Sequence, residues 1–350
     1  MGSSNLRDLG MPQLRKDNHY VPKLYLKQWA NNGKIPTYRL LVQNENVPLW
    51  REQSLKGIAY HQHLYTYLAG QEETDEFERW LDSEFENPAE EAIRRVVREE
   101  RLFPEHWRRL VRFAAALDVR TPARLRQFIH NQNETLEALM DETMQRSVRD
   151  MEEAVGRNER LACGSEDDDA LSLFKISIEP LQDGGGQVKA ETIIGRRMWI
   201  WQMRHLLTKT LGRVPAHKWT ILHAPPGMSW PTSDNPLIRL NFQDSENYDF
   251  GGGWGVKNGD ILLPLSPKHL LHTSIGNRPW RRGTTPNFEI YRLMRKIIIE
   301  HADRYVFAQD PSDIHLIRPR LVCPKAYENE LESWQNWHRS QCQAEIELQR

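Results

Sequence analysis

Apolar residues recur at three- and four-residue steps through residues 74–101, where Phe77, Trp80, Leu81, Phe85, Ala89, Ala92, Ile93, Val96 and Val97 share one face. That period predicts an amphipathic helix, and Pro88 predicts an interruption in it because proline brings no backbone N–H. A second helix is expected after Pro104, with Trp107, Leu110, Phe113, Ala114 and Leu117 inward, and a third from Pro122 to about residue 160. Helical spacing returns over 191–211, with Gly212 as its stop, again over 288–301, and in a polar stretch over 328–349. Short β-type runs stand at 38–42 and 64–67, then at 219–222, 236–240, 260–263, 270–274 and 304–308.

This order predicts an α+β fold, a helical N-terminal half packed on a mixed, mostly antiparallel C-terminal sheet. The expected organisation is a tail over 1–17, one compact domain over 18–324 and a C-terminal helix over 325–350. A soft helical-to-sheet division is expected near 161–190, at the acidic stretch 164–169 and the glycine turn 183–186.

Composition then removes whole classes. With 39% apolar and 27% charged residues and 12 Trp in 350 residues, the chain is neither disordered nor fibrous. Lys plus Arg number 47 against 48 Asp plus Glu, so no global field draws nucleic acid or an anionic membrane, and such binding needs a local patch. No stretch reaches the roughly 20 apolar residues of a membrane-spanning helix, and the first residues hold no signal-peptide-like run. Cys163, Cys323 and Cys342 stand far apart with no C-x-x-C pair, which points to neither a disulfide framework nor a zinc ribbon and is simplest in the cytoplasm.

Phosphate-loop, H-E-x-x-H, G-x-S-x-G and EF-hand signatures are absent. The glycine-rich run 251–259 precedes a strand and offers no helix N-terminus to an anion, so a wide hairpin loop is expected. His61 and His63 alternate as two strand neighbours on one face would, but no third metal ligand lies near them in sequence.

The segment Asn18-His19-Tyr20-Val21-Pro22-Lys23-Leu24-Tyr25-Leu26 is more specific. It resembles the opening signature of a broad, mainly bacterial family known as domain of unknown function 4238. Three further blocks follow in that family's order: 113–122, ending Arg120-Thr121-Pro122; 230–236, with Ser233-Asp234-Asn235-Pro236; and Leu263-Pro264-Leu265-Ser266-Pro267. The strand 304–308 resembles the closing block, so the resemblance spans about 18–310. It departs at Asp118, where similar sequences often carry Gln. The resemblance implies a fold family and leaves the chemistry to the residues.

If these blocks share one cleft, His19 supplies a general acid or base, Arg120 a grip on phosphate, and Asp234 a base or a ligand for Mg²⁺ or Mn²⁺. The structural alternatives are a histidine fixing the N-terminal turn, an internally paired arginine and an aspartate capping its own turn. Glu84 and Glu86 read as solvated helix positions. Arg278, Trp280, Arg281, Arg282, Arg292, Arg295 and Lys296 form the densest basic patch with an aromatic, which fits phosphate backbones and base stacking. The expectation is an intracellular phosphodiester hydrolase, nuclease-like, acting on nucleic acid or nucleotide without a membrane. The alternative is a non-catalytic binding or scaffold protein.

Overall fold

The computed structural model describes residues 14–42, 46–157, 173–180, 186–213, 217–309, 317 and 323–349. Cys163, the acidic stretch 164–169 and most of the glycine turn 183–186 lie outside them. Strand β1 (Asp17–His19) leads through Pro22 into the one-turn helix α1 (Lys23–Leu26), followed by β2 (Lys34–Arg39), β3 (Trp50–Ser54), β4 (Tyr60–Gln62), β5 (Tyr67–Ala69) and β6 (Glu72–Thr74). The expected strands at 38–42 and 64–67 are therefore displaced, the first beginning before Pro36 and the second at Tyr67.

The helical half comprises α2 (Glu76–Leu81), α3 (Asn87–Val97), α4 (Pro104–Val119) and α5 (Pro122–Gly156). Pro88 does not break the first pair. Residues Asp82–Glu86 widen into a π-type turn that carries the chain from α2 into α3. Proline cannot serve the Glu84 carbonyl four residues back, and Arg112 Nη2 approaches that oxygen at 3.5 Å instead. Thr121 caps α5 by accepting the Arg124 N–H, with Pro122 in the first turn.

Within the described part of the expected division near 161–190 stands a hairpin of β7 (Phe174–Pro180) and β8 (Gly186–Thr192). Helix α6 (Arg196–His205) then relaxes into a π-type turn over Leu206–Thr210, starting later than its periodicity predicts because Glu191 and Thr192 belong to β8.

The C-terminal half contributes β9 (Thr220–His223), β10 (Thr232–Ser233), β11 (Ile238–Phe242), β12 (Tyr248–Asp249), β13 (Gly259–Ser266), β14 (His269–Ser274), α7 (Phe288–Glu300), β15 (Tyr305–Phe307) and α8 (Pro324–Gln349). A five-stranded sheet runs β12-β11-β13-β14-β9, a four-stranded sheet runs β10-β15-β2-β3, and every described pairing is antiparallel. The glycine run forms a wide loop between β12 and β13 but not the hairpin expected, because the two strands lie on opposite sides of β11 and do not pair with each other. Gly252 allows its close approach, since a Cβ there would lie 2.9 Å from the backbone of Arg239 and Leu240.

The fold is α+β. Its main core joins both halves, with Tyr25, Trp29, Phe113 and Leu117 in one cluster with Ile261, Leu263 and Leu271. Helix α8 is tied on by Glu345, which accepts the Leu68 N–H at 3.0 Å and pairs with fully buried Arg196 at 2.9 Å. No described helix is long and apolar enough to cross a membrane.

Candidate functional site

The four sequence blocks meet in space. Tyr25 donates its hydroxyl to the Pro264 carbonyl at 2.6 Å, so the Thr232 hydroxyl, also 2.6 Å away, donates to Tyr25 Oη. Trp29 Nε1 donates to the Trp230 carbonyl at 2.8 Å, and the Trp230 N–H to the Pro267 carbonyl at 2.7 Å. Thr121 Oγ1 donates to Asn235 Oδ1 at 3.2 Å. Each bond closes a pairing of residues remote in the chain and buried from water, where an unmade hydrogen bond is costly.

Arg120 ends α4 with no solvent exposure. Its Nη1 reaches Glu86 Oε1 at 2.6 Å, its Nη2 donates to the His19 carbonyl at 2.9 Å, and Glu78 Oε2 lies 3.7 Å away. Burial opposes the charge, but Glu86, Tyr65 and Glu78 outweigh it and raise the guanidinium pKa. Of the two roles open to Arg120 in the sequence, the structure displays internal pairing. Glu86 corrects the expectation of solvation: the widened turn after α2 directs it inward to 14% side-chain exposure, whereas Glu84 stays 52% exposed.

Asp234 is likewise enclosed. Its Oδ1 accepts the Asp303 N–H at 3.0 Å, its Oδ2 accepts the Arg304 N–H at 2.8 Å, and its own N–H donates to the Tyr305 carbonyl at 3.1 Å. Burial and the nearby Asp303 push the carboxyl up, against these backbone donors. Asn235 adds a second clasp: its carbonyl accepts His301 Nδ1–H at 2.9 Å. His19 is nearly buried, its ring stacked on Tyr60 at 5.5 Å, and burial lowers its pKa to about 4.

In front of this framework lies a cleft of about 280 Å³. His19, Arg120 and Asp234 do not line it; their neighbours do. Tyr20 follows His19, Pro122 follows the Arg120 turn, and Asp303 and Arg304 are the residues whose N–H groups Asp234 holds. Three arginines face the cleft: Arg39, 5.7 Å over the Tyr305 ring; Arg126, 2.5 Å from Asp303; and Arg304, paired with Glu330 of α8. His61 lies against Trp334 with ring centroids 3.8 Å apart. Burial lowers the His61 pKa to about 4, with Arg126 and Arg304 adding to it and Glu330 opposing, so the ring is neutral at pH 7.

The donor set does not fit a Mg²⁺ or Mn²⁺ site at Asp234. Those ions require several oxygen ligands with room for water, and both Asp234 oxygens serve backbone N–H groups inside the fold. Asp303 and Glu330, the cleft carboxylates, are held by arginines. Asp234→Ala is therefore expected to cost about 2–3 kcal/mol and Asp234→Asn less, since the amide keeps one acceptor. Thermal unfolding of the two variants checks this order.

The basic segment divides. Arg278, Arg281, Arg282 and Arg292 are exposed and Trp280 is half-buried. Arg282 Nη2 donates to the Glu100 carbonyl at 2.8 Å, and Arg292 lies over Phe288 at 5.6 Å. Lys296 lies 3.6 Å from Glu300. Arg295 leaves the patch altogether: at 4% exposure it donates to Tyr291 Oη at 2.8 Å, because one helical turn sets both on the inner face of α7. His61 and His63 also separate, His61 to Trp334 and His63 onto the His338 ring at 3.9 Å with Glu73 beside it. His63 thus gains the neighbours that its sequence surroundings lack.

Sequence reasoning overlooked Arg39, Arg126, Arg304 and Glu330. Their signal is weak: an arginine beside Asp303 in the strand block resembling the family's close, and others on ordinary polar faces.

Fold and site together define an α+β protein in which buried polar clasps hold the wall of an arginine-lined, aromatic cleft. The chain matches over residues 17–312 the family described as protein of unknown function (DUF4238), and it belongs to that family. No curated protein and no solved structure matches it.

Proposed function

We propose that this protein binds a phosphate ester in the cleft and hydrolyses it, with a nucleotide-like phosphodiester as the substrate class. One observation carries the reading: Arg39, Arg126 and Arg304 share a cleft walled by Tyr20, Tyr60, Tyr305 and Trp334. Guanidinium groups match phosphate oxygens in pairs, and aromatic faces stack on a base. The ion pairs of Arg126 with Asp303 and of Arg304 with Glu330 are exchangeable, since a phosphate competes for the same N–H donors. His61 lines the same cleft and, neutral at pH 7, can accept a hydrogen bond from attacking water and orient it. His19, Arg120 and Asp234 then act as positioning residues that hold the cleft wall.

A second reading has its own support. Arg120 and Asp234 are spent on internal bonds, which fits a non-catalytic binding or scaffold protein in which the family-like blocks serve the fold.

Arg126 is 41% exposed on its side chain, so Arg126→Ala leaves the fold intact. Isothermal titration calorimetry with nucleotides and short single-stranded oligonucleotides measures binding, and release from nucleotide and aryl phosphodiesters measures turnover. The expected result is saturable binding with turnover, lowered in Arg126→Ala by about 10²–10³-fold by analogy with removing a donor to a developing oxyanion. Binding without turnover leaves a phosphate-ester binding module. Neither binding nor turnover across the panel leaves the scaffold reading.

A further inference from the structure

We propose that His223, His269 and Glu99 form a binding site for a divalent first-row transition cation, of which Zn²⁺ is the representative probe. The site is independent of the arginine cleft and shares none of its lining residues.

Two strands and a helix end bring the ligands together. His223 ends β9, His269 begins β14, and the two are direct register partners in the antiparallel ladder. Opposed residues of such a pair project their side chains on the same face of the sheet. The imidazole rings meet edge to face with centroids 4.9 Å apart. Glu99 follows α3 and places Oε1 3.7 Å from His269 Nε2. One ligand atom from each residue lies within 4.8 Å of the other two.

His269 is the decisive member. It is 2% exposed, its Nδ1 is 2.8 Å from Ser266 Oγ, and its Nε2 is enclosed without a hydrogen-bond partner. Ser266 thereby anchors the far side of the ring, the arrangement by which a second residue fixes the tautomer of a ligating histidine and aims its other nitrogen. With Nδ1 turned to Ser266 Oγ, Nε2 is the ring nitrogen that faces Glu99 and His223. A cation between Nε2 and the Glu99 carboxylate would satisfy both groups, which stand 3.7 Å apart, too far for a hydrogen bond.

The chemistry of the donors selects the cation. Two imidazoles and one carboxylate suit Zn²⁺ and its neighbours rather than Mg²⁺ or Ca²⁺, which prefer oxygen alone. Metal-to-ligand distances near 2.0–2.2 Å require the three atoms to draw together slightly. The Glu99 side chain, 63% exposed, is free to make that movement. Three protein ligands leave a coordination position on the solvent side, as in zinc sites that hold a water or substrate.

A rival cluster of His63, Glu73 and His338 is less suited. His338 Nε2 is 2.8 Å from Glu73, while its Nδ1 is 2.9 Å from the Arg196 guanidinium, whose charge repels a cation.

Glu99 allows a test that spares the fold. Its backbone lies at φ 58°, a left-handed conformation that glycine adopts more readily than glutamate. Glu99→Gly therefore deletes a ligand and relieves the backbone together. The full-length protein, stripped with a chelator, is dialysed against Zn²⁺, and Co²⁺ is titrated with its visible ligand-field absorption as the readout. One saturable equivalent is expected, with affinity at least tenfold weaker in Glu99→Gly and in His223→Gln and unchanged in His63→Gln. Absence of a saturable equivalent in the wild type overturns the proposal. So does full affinity in Glu99→Gly, or loss in His63→Gln, which transfers the ion to the rival cluster. Should His223→Gln fail to fold, Glu99→Gly decides alone.

Discussion

Arg120→Met is expected to destabilise the protein by about 3–5 kcal/mol, the range for removing one partner of a buried ion pair. The loss exceeds that of a salt bridge at the surface because the partners stay behind in a dry place. Glu86 and Glu78 keep 14% and 12% side-chain exposure, and the His19 carbonyl loses its donor. The pH dependence gives the prediction a second handle. Burial pushes the Glu78 carboxyl up to about 7, with Arg120 holding it down and Glu86 acting against Arg120. A carboxyl whose folded pKa lies above its unfolded value favours the fold most below the unfolded pKa. That contribution is lost as pH rises through 7. Without Arg120 the shift grows, so the gap between wild type and Arg120→Met should be wider at pH 8 than at pH 5.5. Urea unfolding at both values measures it, and an equal gap would mean that the carboxylates are not what Arg120 neutralises. Arg120→Lys should fail to restore the wild type, since one ammonium does not span Glu86 and the His19 carbonyl as the planar fork does.

The elements most legible in the sequence are those whose burial has a period. The stripe of Trp107, Leu110, Phe113, Ala114 and Leu117 predicts α4, and the short apolar runs between residues 219 and 274 predict β9, β11, β13 and β14, four strands of the five-stranded sheet. Legibility fails where backbone geometry answers to a distant partner. Pro88 reads as a break, yet the chain passes it in a widened turn whose inward Glu86 meets an arginine 34 residues on. The hairpin of β7 and β8 is hidden for the opposite reason: Ile176 and Ile178 remain 58% and 72% exposed, so their alternation marks no core face.

The candidate site shows the same division. Convergence of the family-like blocks is an expectation drawn from their resemblance to the ordered blocks of one family, and the bonds from Tyr25 to Thr232 and from Trp29 to Trp230 close that convergence. Which side chains face solvent does not follow. Asp234 and Arg304 are 70 residues apart, and only the fold reveals that the aspartate holds the arginine's backbone while the arginine faces the cleft. A carboxylate in a turn motif looks the same in sequence whether it serves a substrate or two backbone N–H groups. Nothing in the sequence separates Glu78 and Glu86, buried against Arg120, from Glu84, which flanks the same apolar stripe and stays 52% exposed.

Asp118 carries the other large effect. Its carboxylate is 4% exposed and joins three elements: Arg124 Nη2 at 2.7 Å on α5, Arg239 Nε at 3.4 Å on β11, and Trp254 Nε1 at 2.9 Å in the glycine loop. Two guanidinium groups thus depend on one buried anion, and burial already lowers the Arg124 pKa despite Asp118. Asp118→Ala leaves both cations uncompensated and the indole N–H unpaired, for an expected cost of about 3–5 kcal/mol. Asp118→Asn keeps an oxygen for Trp254 but removes the charge, so it should fall between alanine and wild type. The two losses separate by position. The Trp254 indole N–H resonance, assigned by its loss in Trp254→Phe, reports the bond and should shift in Asp118→Ala but hardly in Asp118→Asn, whereas the thermal midpoint should fall in both. A midpoint unchanged in Asp118→Asn would show that the negative charge is dispensable and that Arg124 and Arg239 are neutralised by solvent; recovery of Asp118→Ala by the further change Arg239→Met would show the reverse, that the unpaired cation is what destabilises the fold.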